Sequence, residues 1–171
     1  MNNEQSTKYG VLKTLLIYVI IGIVLSFGVR LFIEPTVVVG DSMSPTLQEG
    51  EYMLNNKIGY SAENAEFGDV VVVTEGNKHL IKRVIGLPND VVEIKDNEVF
   101  INEEKIDEPY IKEKMKYTQD MVVELKEDEL FVMGDNRNNS LDSRTLGPIQ
   151  NENIRGEIIF RINPFNQQFK Y

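Results

Sequence analysis

The chain has 171 residues, of which 42% are hydrophobic, and it carries 18 Lys and Arg residues against 27 Asp and Glu residues. It contains no Cys and a single His, which excludes disulfides, thiol nucleophiles, thiolate metal sites and multi-histidine metal centres. A formal net charge of −9 argues against nucleic-acid binding, because affinity for a duplex rests largely on cations that neutralise phosphates. We therefore expect chemistry based on hydroxyl, amine and carboxylate groups, with no metal and no cofactor.

The charge is divided unevenly along the chain. Residues 1–33 have a net charge of +2, whereas residues 34–171 have a net charge of −11. Residues 14–29 contain no charged side chain, and a helix over residues 11–33 would be about 34 Å long at roughly 1.5 Å per residue, enough to cross a bilayer. We therefore predict a transmembrane helix over residues 11–33.

A cleaved secretory signal is the alternative interpretation of this segment, because such signals also have an uncharged apolar core. The chain has no Ala before Ala62, and its best small-x-small pair, Ser26 and Gly28, lies inside the apolar run. A retained single-pass anchor is therefore favoured. Basic side chains precede the span, so we expect residues 1–10 to be cytoplasmic and the acidic part of the chain to be extracytoplasmic.

After Pro35 the sequence changes to short runs rich in β-branched residues, separated by Gly, Pro, Asn and Asp. This pattern predicts a mostly antiparallel β fold with little helix. The predicted strands are 36–39, 69–74, 80–85, 91–95, 98–102, 121–125, 130–133 and 157–162. Residues 103–129 are the least apolar part of this region and are predicted to form a solvated flap outside the sheet.

The segment directly after the predicted span presents a hydroxyl group on a turn. Residues 40–47 have the sequence Gly-Asp-Ser-Met-Ser-Pro-Thr-Leu, in which Gly40 permits a positive φ and Pro45 restricts Ser44 to extended conformations. A nucleophile at Ser42 is one interpretation of this segment, and an ordinary turn is the other.

A lysine lies on an apolar face of the predicted strand 80–85. Alternation places Leu80, Lys82 and Val84 on one face and His79 on the other, so a pairing of a serine with His79 is not expected. A lysine with its reference pKa of about 10.4 is neutral only about once in 2,500 molecules at pH 7, so a lysine base must be desolvated. Lys82 is therefore either a buried general base or a residue that snorkels from a sheet edge to water.

A polar turn occupies residues 134–144. It fails as a calcium loop, because Arg137 would stand at a ligand position and Leu146 would replace the bidentate Glu. Asp142 and Arg144 are two residues apart and can pair across a bend. A structural turn rich in Asn and Asp is the alternative interpretation.

Five segments follow one another along nearly the whole chain. They are the amino-terminal apolar segment, residues 40–47, residues 67–71 (Phe-Gly-Asp-Val-Val), residues 82–88 (Lys-Arg-Val-Ile-Gly-Leu-Pro), and residues 134–137 (Gly-Asp-Asn-Arg) with Ser140, Asp142 and Arg144. In these segments and in their order the chain resembles the type I signal peptidases, membrane-bound serine proteases that remove signal peptides from exported preproteins. Its length and single span are similar to the short forms of Gram-positive bacteria.

The resemblance implies a Ser–Lys dyad without histidine. Ser42 matches the nucleophile of the family, and Lys82 matches its general base. Ser140 matches the hydroxyl that holds the lysine amine. Asp142 and Arg144 match an ion pair that supports the site.

The resemblance also implies an oxyanion hole and a fold. The backbone N–H of Ser42 would stabilise the oxyanion, but Gly40 stands where some members carry a serine, so the second donor is left open, with a backbone N–H as the alternative. The fold would be a β-rich catalytic domain over residues 34–90 and 126–171, interrupted by a small cap subdomain over residues 91–125.

Substrates of the family carry small residues, typically Ala-x-Ala, before the cleaved bond. By the match, shallow pockets for these side chains would be lined by Val38, Val39, Met43, Leu47 and Ile81. The implied partners are secretory preproteins and the lipid bilayer, with no nucleic acid and no metal.

Two other functions stay open. A self-processing Ser–Lys peptidase of the SOS-repressor type shares this catalytic fold, but the chain has a predicted span and no Ala-Gly or Cys-Gly pair. An anchored β-domain that binds extracytoplasmic peptides without cutting them is the second alternative. The presence of both Ser42 and Lys82 argues against it.

Overall fold

A computed structural model describes residues 12–24, 28, 32–116 and 118–162. The chain divides into two compact units, Met1–Glu34 and Pro35–Tyr171. In the first unit, residues 12–24 are helical (helix α1) and their side chains are exposed. Within the described ranges, no helix combines the length and the apolar character needed to cross a membrane. Of the predicted membrane topology, residues 1–11, 25–27 and 29–31 lie outside the described residues.

The larger of two β-sheets carries most of the predicted strands. Its strands are β1 (Ile33–Val37), β2 (Tyr52–Asn56), β3 (Val70–Glu75), β4 (Lys78–Gly86), β9 (Glu129–Met133), β10 (Ile149–Gln150) and β11 (Ile154–Ile162). They lie in the order β1-β2-β11-β3-β4-β9-β10, and the β2–β11, β11–β3, β3–β4, β4–β9 and β9–β10 pairs are antiparallel. One short helix, α2 (Ser143–Leu146), follows β9, and single 3₁₀ turns occupy Ala62–Asn64 and Asn151–Asn153. The described part of the second unit is thus mostly β, as predicted.

The smaller sheet is formed by the chain between β4 and β9. Its antiparallel order is β7-β6-β5-β8, with strands β5 (Val91–Lys95), β6 (Glu98–Ile101), β7 (Glu104–Lys105) and β8 (Met121–Glu124). Asp96 and Asn97 join β5 to β6 with φ values of 53° and 63°, the left-handed backbone that a tight hairpin requires. That residues 91–125 act as a separate cap subdomain stays a prediction.

The predicted solvated flap differs from the structure. Met115 and Leu125 are buried and pack in one core cluster with Phe131 and Met133 of β9. Single apolar residues in a polar segment form no periodic pattern, so the sequence of residues 103–129 gives no sign that Met115 and Leu125 are buried. The segment is therefore attached to the core at both Met115 and Leu125.

Candidate active site

The turn after β1 holds Ser42 in a half-buried position. Gly40 has a φ of 78°, in the left-handed region that favours glycine. Within the turn, the Ser44 N–H donates to the Asp41 carbonyl at 3.1 Å and the Leu47 N–H donates to the Met43 carbonyl at 2.9 Å. The Ser44–Pro45 peptide bond is cis. The turn packs onto the hydrophobic core, because Met43 and Leu47 are both buried in one core cluster.

Lys82 lies in the middle of β4, with only 2% of its surface exposed. Its Nζ donates hydrogen bonds to Ser42 Oγ at 2.8 Å and to the Ile81 carbonyl oxygen at 2.7 Å. Burial lowers the pKa of Lys82 from 10.5 to about 8, although the negative charges of Asp142 and Asp135 act in the opposite direction. The structure therefore brings the predicted serine and lysine into direct contact in a desolvated setting.

This contact suits proton transfer. With a pKa of about 8, roughly one Lys82 in ten is neutral at pH 7, against about one in 2,500 for an exposed lysine. In the neutral form the Nζ lone pair can accept the Ser42 hydroxyl proton across the same contact, while a remaining N–H donates to the Ile81 carbonyl. The pair can thus act as a nucleophile and its base.

The end of β9 packs directly against the Ser42 turn. A Cβ on Gly134 would lie 2.5 Å from the Ser42 carbonyl oxygen and would also overlap with Ser140 Oγ, so only glycine fits. The Asn136 N–H donates to the Ser42 carbonyl at 3.0 Å, and Asn136 Nδ2 donates to the Asp41 carbonyl at 3.1 Å and to Asp41 Oδ2 at 3.0 Å. Both the backbone and the side chain of this turn therefore position Ser42.

Ser140 lies beside Gly134, but it does not hold the lysine amine in this structure. Its Oγ is buried and makes no hydrogen bond of normal geometry to any described residue. It lies close enough to Asp142 to contribute to the lowered pKa of that carboxyl group. The structure thus brings Ser140 to the site, whereas its predicted hydrogen bond to Lys82 is not formed here.

Asp142 and Arg144 form the ion pair that their spacing allowed. Arg144 Nε donates to Asp142 Oδ1 at 2.9 Å and Nη2 donates to Oδ2 at 2.8 Å, while the Gly134 N–H donates to Oδ2 at 3.0 Å. Burial alone would raise the pKa of Asp142, but Arg144 and the Gly134 N–H outweigh it and the pKa is lowered. Asp142 also caps α2 by accepting from the Arg144 N–H. A fixed negative charge therefore faces Lys82.

Arg83 and Asp135 form a second ion pair, which the sequence analysis does not predict although both residues lie in the motifs given above. Arg83 Nε donates to Asp135 Oδ1 at 2.8 Å and Nη2 donates to Oδ2 at 2.6 Å, while Nη1 donates to the Gly68 carbonyl at 2.7 Å. The available signal was alternation, which places Arg83 on the face of β4 opposite to Lys82. The pair connects β4, the turn before β3 and the end of β9.

The residues predicted to line substrate pockets differ in exposure. Val38, Met43 and Leu47 are buried in a cluster with Met53, and Ile81 packs against that cluster. Val39, in contrast, is 82% exposed beside the Ser42 turn. Among these predicted residues, Val39 presents the most surface to a ligand.

His79, the single histidine of the chain, makes no hydrogen bond to Ser42 or Lys82. His79 is exposed on β4, where its Nδ1 lies 3.4 Å from Thr74 Oγ1. Within the described residues, no group of three or more His, Asp and Glu side chains is arranged to hold a metal ion.

Comparisons with known proteins identify the family. The model of the family described as "Signal peptidase, peptidase S26" matches residues 11–163. The chain is 39% identical over 181 residues to "Signal peptidase I" of Bacillus licheniformis, with 98% of this chain and 97% of that protein covered. It is 41% identical over 165 residues to "Signal peptidase I S" of Bacillus subtilis (strain 168), with 89% of each covered. The crystal structure of a signal peptidase I from Enterococcus faecalis V583 matches with a TM-score of 0.49 and 27% identity, over 56% of this chain and 97% of that chain. Because the family model and these sequence relatives span most of the chain, the chain belongs to the signal peptidase family and is a serine peptidase of the signal peptidase I type.

Proposed function

We propose that the chain removes signal peptides from exported preproteins by cleaving after small residues of the Ala-x-Ala type, with Ser42 as the nucleophile and Lys82 as the general base. The observation that carries the proposal is the 2.8 Å contact between Lys82 Nζ and Ser42 Oγ, made by a buried lysine whose pKa is lowered to about 8. Relatives named signal peptidase I favour this function over self-processing.

In the first half of the reaction, neutral Lys82 takes the Ser42 hydroxyl proton while Oγ forms a bond to the carbonyl carbon of the scissile peptide. The Ser42 backbone N–H is the proposed oxyanion donor, because it has no hydrogen-bond partner within the described residues. When the tetrahedral intermediate collapses, the C–N bond breaks and the Lys82 ammonium gives its proton to the leaving amine. The signal peptide is then an ester of Ser42.

In the second half, a water molecule gives a proton to Lys82 as its oxygen adds to the ester carbon. Collapse of this intermediate breaks the bond to Ser42 Oγ, which recovers its proton from Lys82. One peptide bond is hydrolysed, and both side chains return to their starting states.

A second oxyanion donor has one candidate in the turn. The Gly40 N–H donates to Glu49 Oε1 at 3.4 Å, which is a long and exposed contact that a substrate carbonyl could replace. Gly40 therefore supplies the left-handed backbone of the turn and a weakly engaged N–H.

The remaining parts of the proposal concern substrate and location. Val39 is proposed to form the pockets for small side chains, together with the buried Val38, Met43 and Leu47 and the adjoining Ile81. Residues 11–33 are proposed to anchor the chain in the bilayer with residues 1–10 in the cytoplasm, which would place the acidic domain outside. Residues 91–125 are proposed to act as an inserted cap subdomain.

The dyad is tested by Ser42→Ala and Lys82→Ala in the full chain, with cleavage of a preprotein followed by mass analysis of the new amino terminus. Both variants are expected to lose cleavage while the melting temperature shows that they stay folded. Ser44→Ala and Lys78→Ala are the matched controls, because Ser44 lies in the same turn and Lys78 is exposed on the same strand. Full activity in either Ser42→Ala or Lys82→Ala would refute the dyad.

A further inference from the structure

Residues 108–116, here called the strap, lie across the turn formed by residues 134–138. The Lys112 N–H donates to the Asp135 carbonyl at 3.2 Å. Further along, the Lys116 N–H donates to Asn138 Oδ1 at 2.8 Å and Asn138 Nδ2 donates to the Lys114 carbonyl at 3.0 Å. Within the described residues, no group of the strap hydrogen-bonds to the Ser42 or Lys82 side chain, yet the strap binds the turn that touches Ser42.

Glu108 is the carboxylate that neutralises a buried arginine of this turn. The Arg137 side chain has no exposed surface, and its Nη2 donates to Glu108 Oε1 at 2.5 Å. Its Nε donates to the Gly134 carbonyl at 2.9 Å, and within the described residues no other carboxylate forms an ion pair with it. A buried arginine needs such a partner, because an unpaired charge inside the protein is strongly unfavourable. Glu108 thus fixes the guanidinium that holds the Gly134 carbonyl.

Tyr110 lies between two arginines of the site. The Arg83 guanidinium carbon is 4.2 Å from the centroid of the Tyr110 ring, and the Arg137 guanidinium carbon is 5.9 Å from it. Both distances fall within the range of a cation–π contact. The Tyr110 hydroxyl donates a long hydrogen bond of 3.4 Å to Glu108 Oε1, so the ring face contacts the arginines while the hydroxyl contacts Glu108. Tyr110 therefore restrains the guanidinium groups that bind Asp135 and Gly134.

We propose that Glu108 and Tyr110 are positioning residues of the active site. They hold two arginines, and through them the turn whose Gly134 and Asn136 pack against Ser42. This inference rests on the proposed function, in which Ser42 is the nucleophile and Lys82 its base. Neither residue touches the reacting atoms, so both act through this turn, which keeps Ser42 and Lys82 aligned and whose displacement would let water reach Lys82.

Loss of Glu108 or Tyr110 should change catalysis in ways that differ from a mere loss of stability. Displacement of a nucleophile by about 1 Å can slow a reaction by as much as about 100-fold, whereas substrate affinity need not change. Burial lowers the pKa of Lys82 more strongly than Asp142 and Asp135, the two carboxylates that face it, raise that pKa. Water that enters beside Lys82 would relieve the burial and so raise the pKa. The midpoint of the pH–rate profile should then move to higher pH.

The test compares Glu108→Gln, Tyr110→Leu and Tyr110→Phe in the full chain in detergent, measuring kcat, KM and the pH profile of kcat/KM on a preprotein. Glu108→Gln and Tyr110→Leu are expected to lower kcat about ten-fold, to change KM less than about two-fold and to raise the pH midpoint. Tyr110→Phe keeps the aromatic face and should restore the midpoint. Glu104→Gln is the matched control, because Glu104 is an exposed glutamate on β7 that lies outside the strap.

Unchanged kcat and pH midpoint in Glu108→Gln and Tyr110→Leu would overturn the inference, even if the melting temperature falls. If Glu108→Gln does not fold, the difference between Tyr110→Leu and Tyr110→Phe decides the question alone. Activity in Ser42→Ala or Lys82→Ala would instead refute the proposed function, so the two failures are distinguishable.

Discussion

Gly134 lies so close to Ser140 that it has no room for a side chain. A Cβ at this position would overlap with Ser140 Oγ and would approach Ser140 Cβ to 2.7 Å and the Ser42 carbonyl oxygen to 2.5 Å. The φ of Gly134 is not in the left-handed region, so space rather than backbone conformation requires glycine here. Two segments that both supply predicted site residues therefore meet at a single Cα.

Gly134→Ala is expected to separate these segments. Overpacking of a buried contact should lower the free energy of unfolding by about 1–3 kcal/mol, and displacement of Ser42 should lower kcat about 100-fold or more. Thermal unfolding and preprotein cleavage measure the two effects. Gly22→Ala is the control, because a Cβ at Gly22 meets open space; equal behaviour of the two variants would contradict the argument.

Cleavage is expected to rise with pH and to level off above about pH 8. The proposed base works only as a neutral amine, and burial lowers the pKa of Lys82 to about 8. Below that pH, kcat/KM should fall about ten-fold for each pH unit. Initial rates between about pH 6 and pH 10 test this, and a midpoint near the ordinary lysine value would show that burial does not activate Lys82.

Lys82→Met is expected to make the inactive protein more stable than the wild type. The pKa of Lys82 is about 8 in the folded state against an ordinary 10.5, so the unfolded chain binds more protons between these values and stability rises with pH across that window. Below pH 8 the full penalty is present, about 3 kcal/mol.

The variant removes this penalty and leaves the Ile81 carbonyl without its lysine donor, so the net gain at pH 7 should be about 2–3 kcal/mol. The gain should shrink as the pH rises from 8 towards 10.5. Denaturant unfolding at several pH values measures it, with Lys78→Met on the exposed end of the same strand as the control. A gain that does not vary with pH would argue against a buried, charged Lys82.

Much of the β framework is visible in the sequence, because hydrophobic alternation fixes which runs can be strands. Val91–Lys95 begins and ends where predicted, and the predicted strand 80–85 lies within β4. Strand β2 (Tyr52–Asn56) was not predicted. Its buried Asn55 resembles a turn residue in a sequence pattern, although the structure places it inside a strand.

The active site, too, is only partly predictable from the sequence. Alternation predicts that Lys82 and Arg83 face opposite sides of β4, but it carries no information that β9 pairs with β4 and brings Gly134 to Ser42. No local sequence pattern predicts the contacts of Glu108 and Tyr110. Their contacts with Arg83 and Arg137 join residues 27 or more positions apart in the chain and depend on the path of an irregular segment. The roles assigned to Ser42, Lys82, Ser140, Asp142 and Arg144 stay predictions that the variants test.

Met43 and Val39 are expected to respond differently to truncation. Met43 is 1% exposed and packs in the core below the Ser42 turn, so Met43→Ala should lower stability by about 2–5 kcal/mol. Val39 is largely exposed, so Val39→Ala should change stability by less than about 0.5 kcal/mol and act on KM for the preprotein. Unfolding free energies and steady-state kinetics distinguish them; an unaltered KM in Val39→Ala would remove Val39 from the proposed pocket.

Asp142→Asn is expected to move the pH–rate midpoint to lower pH. The negative charge of Asp142 raises the pKa of Lys82 against the larger effect of burial, so removing that charge should lower the pKa further. The same change breaks the paired hydrogen bonds with Arg144, so kcat should fall while the midpoint shifts. Asp96→Asn provides the matched control on an exposed hairpin, where neither quantity should change. A midpoint that rises in Asp142→Asn would mean that the ion pair acts mainly by excluding water from Lys82, and an unchanged midpoint would mean that its charge does not reach the amine.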